Sequence, residues 1–201
     1  MKLYAAAVLA LAASALLADR NISTPTAYTL QPGEFRLDYD RDGSDPRSET
    51  YAVFGVLPYV EVGLNYVDTP SLSNHAGVNV QYSVVQPYPD LLPGVSVGVL
   101  DLFNTTRRGR VVYAAATFQI NLVERWTQRE RINVTIGAGT NLHGAFFNLY
   151  WPMYTHVAFI ADHDSRVLSV GIDLEPISGV AFRAVIQDNH PLYGIQIRRI
   201  F

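Results

Sequence analysis

From residue 34 onward the chain alternates apolar with polar or small residues, in runs of about eight to twelve. Phe35, Leu37 and Tyr39 alternate with Glu34, Arg36 and Asp38. Val60, Val62, Leu64 and Tyr66 alternate with Glu61, Gly63 and Asn65. The pattern recurs through Val112–Leu122, Ile132–Ala138 and Val180–Ile186, and it closes on Tyr193, Ile195 and Ile197. A two-residue period puts successive side chains on opposite faces of a strand, so each run builds one apolar and one polar face. Turn-forming residues separate the runs, as at Arg41–Arg47, Pro58-Tyr59, Pro152-Met153, His163-Asp164, Glu175–Ser178 and Asp188–Pro191. The breaks predict about twelve strands, ten at the fewest, in an all-β domain.

Alternation alone suits a soluble sandwich as well as a membrane barrel. Length tips the choice, because a β-strand crossing a bilayer takes about 9–11 residues, whereas soluble strands run to about 5–6. Export points the same way. Residues 1–18 read MKLYAAAVLALAASALLA, one cation and then an apolar run ending in Ala13-Ser14-Ala15. That order matches a secretory signal peptide cut after Ala15 or Ala18, and it leaves residues 19–201 as a single barrel domain. The run falls short of the roughly 20 residues of a membrane-spanning helix. The sequence therefore predicts a closed, antiparallel, up-and-down transmembrane β-barrel in the bacterial outer membrane. Its direct partner is outer-membrane lipid, contacted by a belt through Phe35, Val62, Val80, Phe118, Ile136, Ile172, Phe182 and Ile195. A soluble periplasmic binding barrel is the alternative.

Charge and composition exclude other classes. The chain has no cysteine, which removes disulfides and thiolate metal sites. A formal charge of −3 without a basic stripe gives nucleic acid no footprint. No cofactor is implied. Gly94-Val95-Ser96-Val97-Gly98 has nucleophile-elbow spacing but lacks the helix that this chemistry needs. Gly137-Ala138-Gly139 reads as strand with small lumen residues. Asp162-His163-Asp164 reads as a hairpin tip, so no metal site is assigned.

On the polar face, Glu34, Arg36, Asp38, Glu61, Asp173, Arg183 and Arg198 are the candidate lumen charges. Tyr150, Trp151, Tyr154 and the terminal Phe201 are candidate membrane-interface aromatics. Closure requires Gly33–Asp40 to lie antiparallel to Leu192–Phe201, which brings Arg198 near Glu34 or Asp38. With both strand ends periplasmic, Pro58, Pro152 and Pro176 fall in periplasmic turns. The connections Gln86–Pro93 and Glu124–Glu130 are long where short turns belong. An enzymatic alternative rests on His156, Ser169 and Asp173. If His163-Asp164 is a two-residue turn, these side chains share the lumen face as candidates for a hydrolase acting on outer-leaflet lipid.

Ser23-Thr24-Pro25-Thr26-Ala27, Leu30 and Gly33-Glu34-Phe35-Arg36-Leu37 resemble the start of the YjbH-like exopolysaccharide-associated outer-membrane proteins. Leu57-Pro58-Tyr59-Val60-Glu61-Val62-Gly63, with Tyr66, resembles their recurring turn and following strand. Family members are usually much longer, so this chain would be a single small barrel. The resemblance covers about a quarter of the sequence and carries no catalytic residues. It implies a structural or accessory role in surface polysaccharide export, with polysaccharide or the export machinery as partner and a narrow pore as one form of that role.

Overall fold

In the computed structural model, residues 22–69, 75–106, 109–121, 131–142 and 144–201 are described. The signal segment and the Glu124–Glu130 connection lie outside them. Twelve strands form: β1 (Glu34–Asp42), β2 (Ser48–Leu57), β3 (Val60–Asp68), β4 (His75–Val85), β5 (Gly94–Leu100) and β6 (Val111–Asn121), then β7 (Arg131–Gly139), β8 (Ala145–Tyr154), β9 (Val157–His163), β10 (Leu168–Ile177), β11 (Val180–Gln187) and β12 (His190–Ile200). Each pairs antiparallel with its sequence neighbours, and β1 pairs with β12, so the sheet is a closed barrel. The seam has Glu34 opposite Ile200 and Tyr39 opposite Ile195, as closure predicted. Closure leaves no unpaired sheet edge, which a strand in lipid cannot tolerate.

The outer face carries the apolar set. Phe118, Ile136, Ile172 and Phe182 are exposed, and Phe35, Val62, Val80 and Ile195 share their outward parity at intermediate burial. The inner face buries Glu34, Arg36, Asp38, Glu61, Asn79 and Gln81. A soluble fold would bury the first set and expose the second. This barrel does the reverse, so it is a transmembrane barrel and not a periplasmic binding domain.

Three turns differ from expectation. Pro152-Met153 lies inside β8, where the register slips between Pro152 and Tyr154, and the actual turn is Thr155-His156. Glu175 and Pro176 continue β10 past a second irregularity between Leu174 and Ile177, so the turn begins at Ser178. Proline lacks a ladder donor and settles at such irregularities. Third, β9 and β10 join through residues 164–167 rather than through His163-Asp164.

Gln86–Pro93 is long because it folds back on the barrel. Tyr88 bridges Leu92, and Asp90 accepts the Asn121 amide at 3.0 Å.

The principal departure from expectation lies ahead of β1. Residues 22–32 form no regular element, and 22–30 run inside the barrel, with Ile22, Thr24, Thr26, Ala27, Tyr28 and Leu30 buried. This segment is called the strap.

Candidate functional site: the barrel lumen

The end of the barrel at Gly33 and Phe201 is the near end, and the opposite one the far end. One lumen wall, made by β1 and β10–β12, holds a charge network. Arg183 makes two hydrogen bonds to Asp173, at 2.9 and 3.0 Å. Arg36 pairs with Asp38 at 3.0 Å, and its guanidinium lies 5.8 Å from the Tyr51 ring centroid. Gln196 donates to the other Asp38 oxygen at 2.9 Å. Arg198 pairs with Glu34 across the seam. Buried charges persist only when partnered in this way. Glu34, Arg36, Asp38, Glu61 and Arg183 are buried, and Asp173 and Arg198 are half-buried.

The opposite wall, from β3 to β9, presents amides, hydroxyls and two acids that read the strap's main chain. Leu30 N donates to Glu61 Oε2 at 2.9 Å. Gln81 Nε2 donates to the carbonyls of Thr26 and Tyr28, at 2.9 and 2.6 Å. Ser96 and Ser83 donate to the carbonyls of Thr26 and Ala27. Thr117 Oγ1 accepts the Ala27 amide at 2.8 Å, and Asn148 donates to Thr24 Oγ1 at 3.1 Å. The strap ends on Asp162, whose carboxylate is fully buried. Its Oδ2 accepts the successive amides of Ile22, Ser23 and Thr24, at 3.3, 3.1 and 3.1 Å. The hydroxyls of Ser23 and Thr24 add bonds of 2.9 and 2.8 Å. Consecutive amides converging on an anion form a nest, and hydrogen bonds to charge are stronger than neutral ones. Apolar lumen residues complete the seat: Ile22 packs with Ile160 and Val185, and Leu30 with Tyr51 and Val53.

Small residues make room. A Cβ on Gly55 would lie 2.0 Å from the Gln31 carbonyl oxygen, so the strap can cross β2 only over a glycine. Gly137, predicted to be a small lumen position, lies beneath the Phe146 ring.

Beyond the strap, toward the far end, opens a vestibule of about 760 Å³. Ser23, Pro25 and Gln81 line its inner part, and Asp45, Arg47, Arg166 and Asp188 its rim. Seven carboxylates line it against two arginines, with His75 and His190 also present. One of the seven, Asp101, is built into a loop: it accepts the amides of Thr105 and Thr106 at 2.8 and 2.6 Å, and both hydroxyls as well.

The enzymatic grouping does not assemble. The pairing of β9 with β10 sets Ser169 opposite Asp162 and Asp173 opposite Ala158. His156 sits exposed in the near-end turn, its Nδ1 against the Glu175 carbonyl. Six residues of strand separate it from Asp162, roughly 20 Å at the strand rise. Ser169 is bonded by Gln187 and Asp173 by Arg183. The longer β9–β10 turn shifted the register by four residues and took His156 away. Among the aromatics, Trp151, Tyr154 and Phe201 are exposed at the near end. Tyr150 is corrected: it shares Asn148's inward parity and packs on Ile22, Ile160 and Val185. Asp162, absent from the predicted set, is the strap's main anchor. No group of metal-ligating side chains occurs among the described residues.

A closed barrel of twelve antiparallel strands with an apolar outer belt and a polar lumen is the architecture of a bacterial outer-membrane protein. Among solved structures it is similar to the NanC porin, with a TM-score of 0.50 and 11% identity over 83% of this chain and 99% of that one. At that identity the likeness speaks for the fold alone. A triple mutant of the Rhodopseudomonas blastica porin matches with a TM-score of 0.35 and 13% identity over 77% of this chain; the match spans 55% of that protein. No protein-family model and no curated protein matches the sequence.

Proposed function

We propose that this chain is a porin-like outer-membrane channel for small hydrophilic solutes, favouring cations. The vestibule carries this reading: it reaches from the far-end loops down to the strap, and its lining is dominated by carboxylates. A cleft of one charge sign concentrates counter-ions and raises their rate of capture. The near end is periplasmic in this reading. Three of its turns, at 58–59, 155–156 and 178–179, are two residues long, and the longer connection at 86–93 folds back on the barrel. The far-end connections at 43–47 and 101–110 are longer, as in outer-membrane barrels generally, although the far-end turn at 188–189 is short. Proteoliposome swelling tests the reading. Vesicles carrying the folded barrel without residues 22–29, the part of the strap that fills the lumen, should admit small sugars and amino acids faster than protein-free vesicles, and lysine faster than glutamate. Equal rates for barrel and empty vesicles would overturn it.

A second reading has its own support. Of the residues that resemble the exopolysaccharide-associated proteins, Ser23–Ala27 and Leu30 lie in the strap, which occupies the lumen, and the others lie in and around β1 and β3. A barrel closed in this way suits an accessory role in surface polysaccharide export, with the export machinery as partner. Deleting the gene would then reduce cell-surface polysaccharide while leaving outer-membrane permeability unchanged.

A further inference from the structure

We propose that the strap is the gate of this channel and that Asp162 is the latch that holds it shut; the inference rests on the channel reading. The strap crosses the lumen from Leu30 at Glu61, near the start of β3, to Ile22 at Asp162, near the far end of β9. Its backbone has no strand partner over most of that length. The bonds that hold it come largely from lumen side chains to main-chain groups, at Thr24, Pro25, Thr26, Ala27, Tyr28 and Leu30. Such a segment is a docked ligand on a tether. It can leave without breaking a single pair of the barrel ladder, because the ladder is complete without it. At its Leu30 end it runs directly into Gly33 and β1, so that end is fixed covalently. At the other end five of its hydrogen bonds converge on one carboxylate. Loss of that anchor leaves the tip to the Asn148 bonds and the apolar contacts of Ile22, while Glu61 and Gln81 still hold the base.

Withdrawal would join the vestibule to the rest of the lumen. Ser23 and Pro25 line the vestibule, and further along the strap Ala27 is bonded to Thr117, itself paired with Thr135 on the lumen wall. The latch faces groups from every packed element: Ser169 lies opposite it on β10, Asn148 on β8, and the strap hydroxyls in front. No positive side chain contacts it in the described bonds, so strap amides and hydroxyls supply its stabilisation.

Single-channel recording in planar bilayers tests the gate. The intact barrel should be closed most of the time, and Asp162→Ala should raise its open probability at least about tenfold, given the number of charge-assisted bonds removed. A short thiol crosslinker between Thr24→Cys and Asn148→Cys, in a chain with no other cysteine, should hold the barrel shut in both backgrounds. Removal of residues 22–29 should leave it steadily open, and a peptide of that sequence should close it again. Heat-modifiability on gels confirms that each variant is a folded barrel. A folded Asp162→Ala barrel that opens no more often than the parent, while the strap-deleted barrel conducts, would overturn the latch and leave the channel standing. Full conductance of the crosslinked barrel would overturn the gate alone. Silence of the folded, strap-deleted barrel would overturn the channel reading itself.

Discussion

Arg198 on β12 donates through Nε to Glu34 Oε1 on β1, across the seam that closes the barrel. The other oxygen of Glu34 accepts the Gln31 amide at 2.9 Å, so one buried carboxylate ties both the last strand and the base of the strap to the first strand. Glu34→Ala removes both contacts, whereas Arg198→Ala leaves the Gln31 bond in place. Urea unfolding, followed by gel mobility, should show the larger loss for Glu34→Ala. A double-mutant cycle should return a coupling of about 1–3 kcal/mol. Additive single effects would mean that the pair contributes nothing to the seam.

Gly55 sets how closely the strap can approach β2. An added methyl would meet the Gln31 and Leu30 carbonyl oxygens at 2.0 and 2.8 Å, and both are backbone atoms with little room to yield. Gly55→Ala should therefore lift the strap base, break the 3.0 Å bond from Gly33 N to Gly55 O, and cost about 1–3 kcal/mol. Limited proteolysis should then cut within residues 22–32 of the variant while sparing the parent. Equal resistance in both would show that the strap does not depend on this approach.

Asp101 gives the far end a pH dependence. Its burial favours the neutral acid, but hydrogen bonds from Thr105 and Thr106 outweigh that and hold the carboxyl below the ordinary aspartate value. A depressed folded value means that the stabilisation is fully present above the unfolded value, about 3.9, and is lost as pH falls through the folded one. Amide-exchange protection at Thr105 and Thr106 should hold steady from neutrality to about pH 5 and fall below about pH 4. Asp101→Asn should reproduce the unprotected loop at neutral pH. A loop that loses protection between about pH 5 and 7 would contradict the assignment to Asp101.

The strands were legible because period-two alternation over long runs survives any local irregularity. The seam followed from it, since parity fixes which face Glu34 and Arg198 share. The turns at Pro152 and Pro176 were misread because proline marks a missing donor, and a strand irregularity satisfies that as well as a turn does. The extra turn residues between β9 and β10 moved His156 four positions along its neighbour, which one alternating pattern alone cannot detect. Tyr150 shares its parity with Asn148, which points it inward, whereas its aromatic character points to the membrane interface. The strap is not legible in this way. Residues 23–30 have no period, and their buried main chain is satisfied by Asp162, Thr117, Gln81 and Glu61, residues 31 to 139 positions away. No local pattern encodes such contacts.

The most direct test of the channel is the reversal potential of the strap-deleted barrel in a planar bilayer under a potassium chloride gradient. With seven carboxylates against two arginines on the vestibule lining, the potential should take the sign of potassium selectivity. It should shrink as ionic strength rises and screening shortens the reach of those charges. A potential of the opposite sign, or a folded barrel that passes no current, would contradict the account.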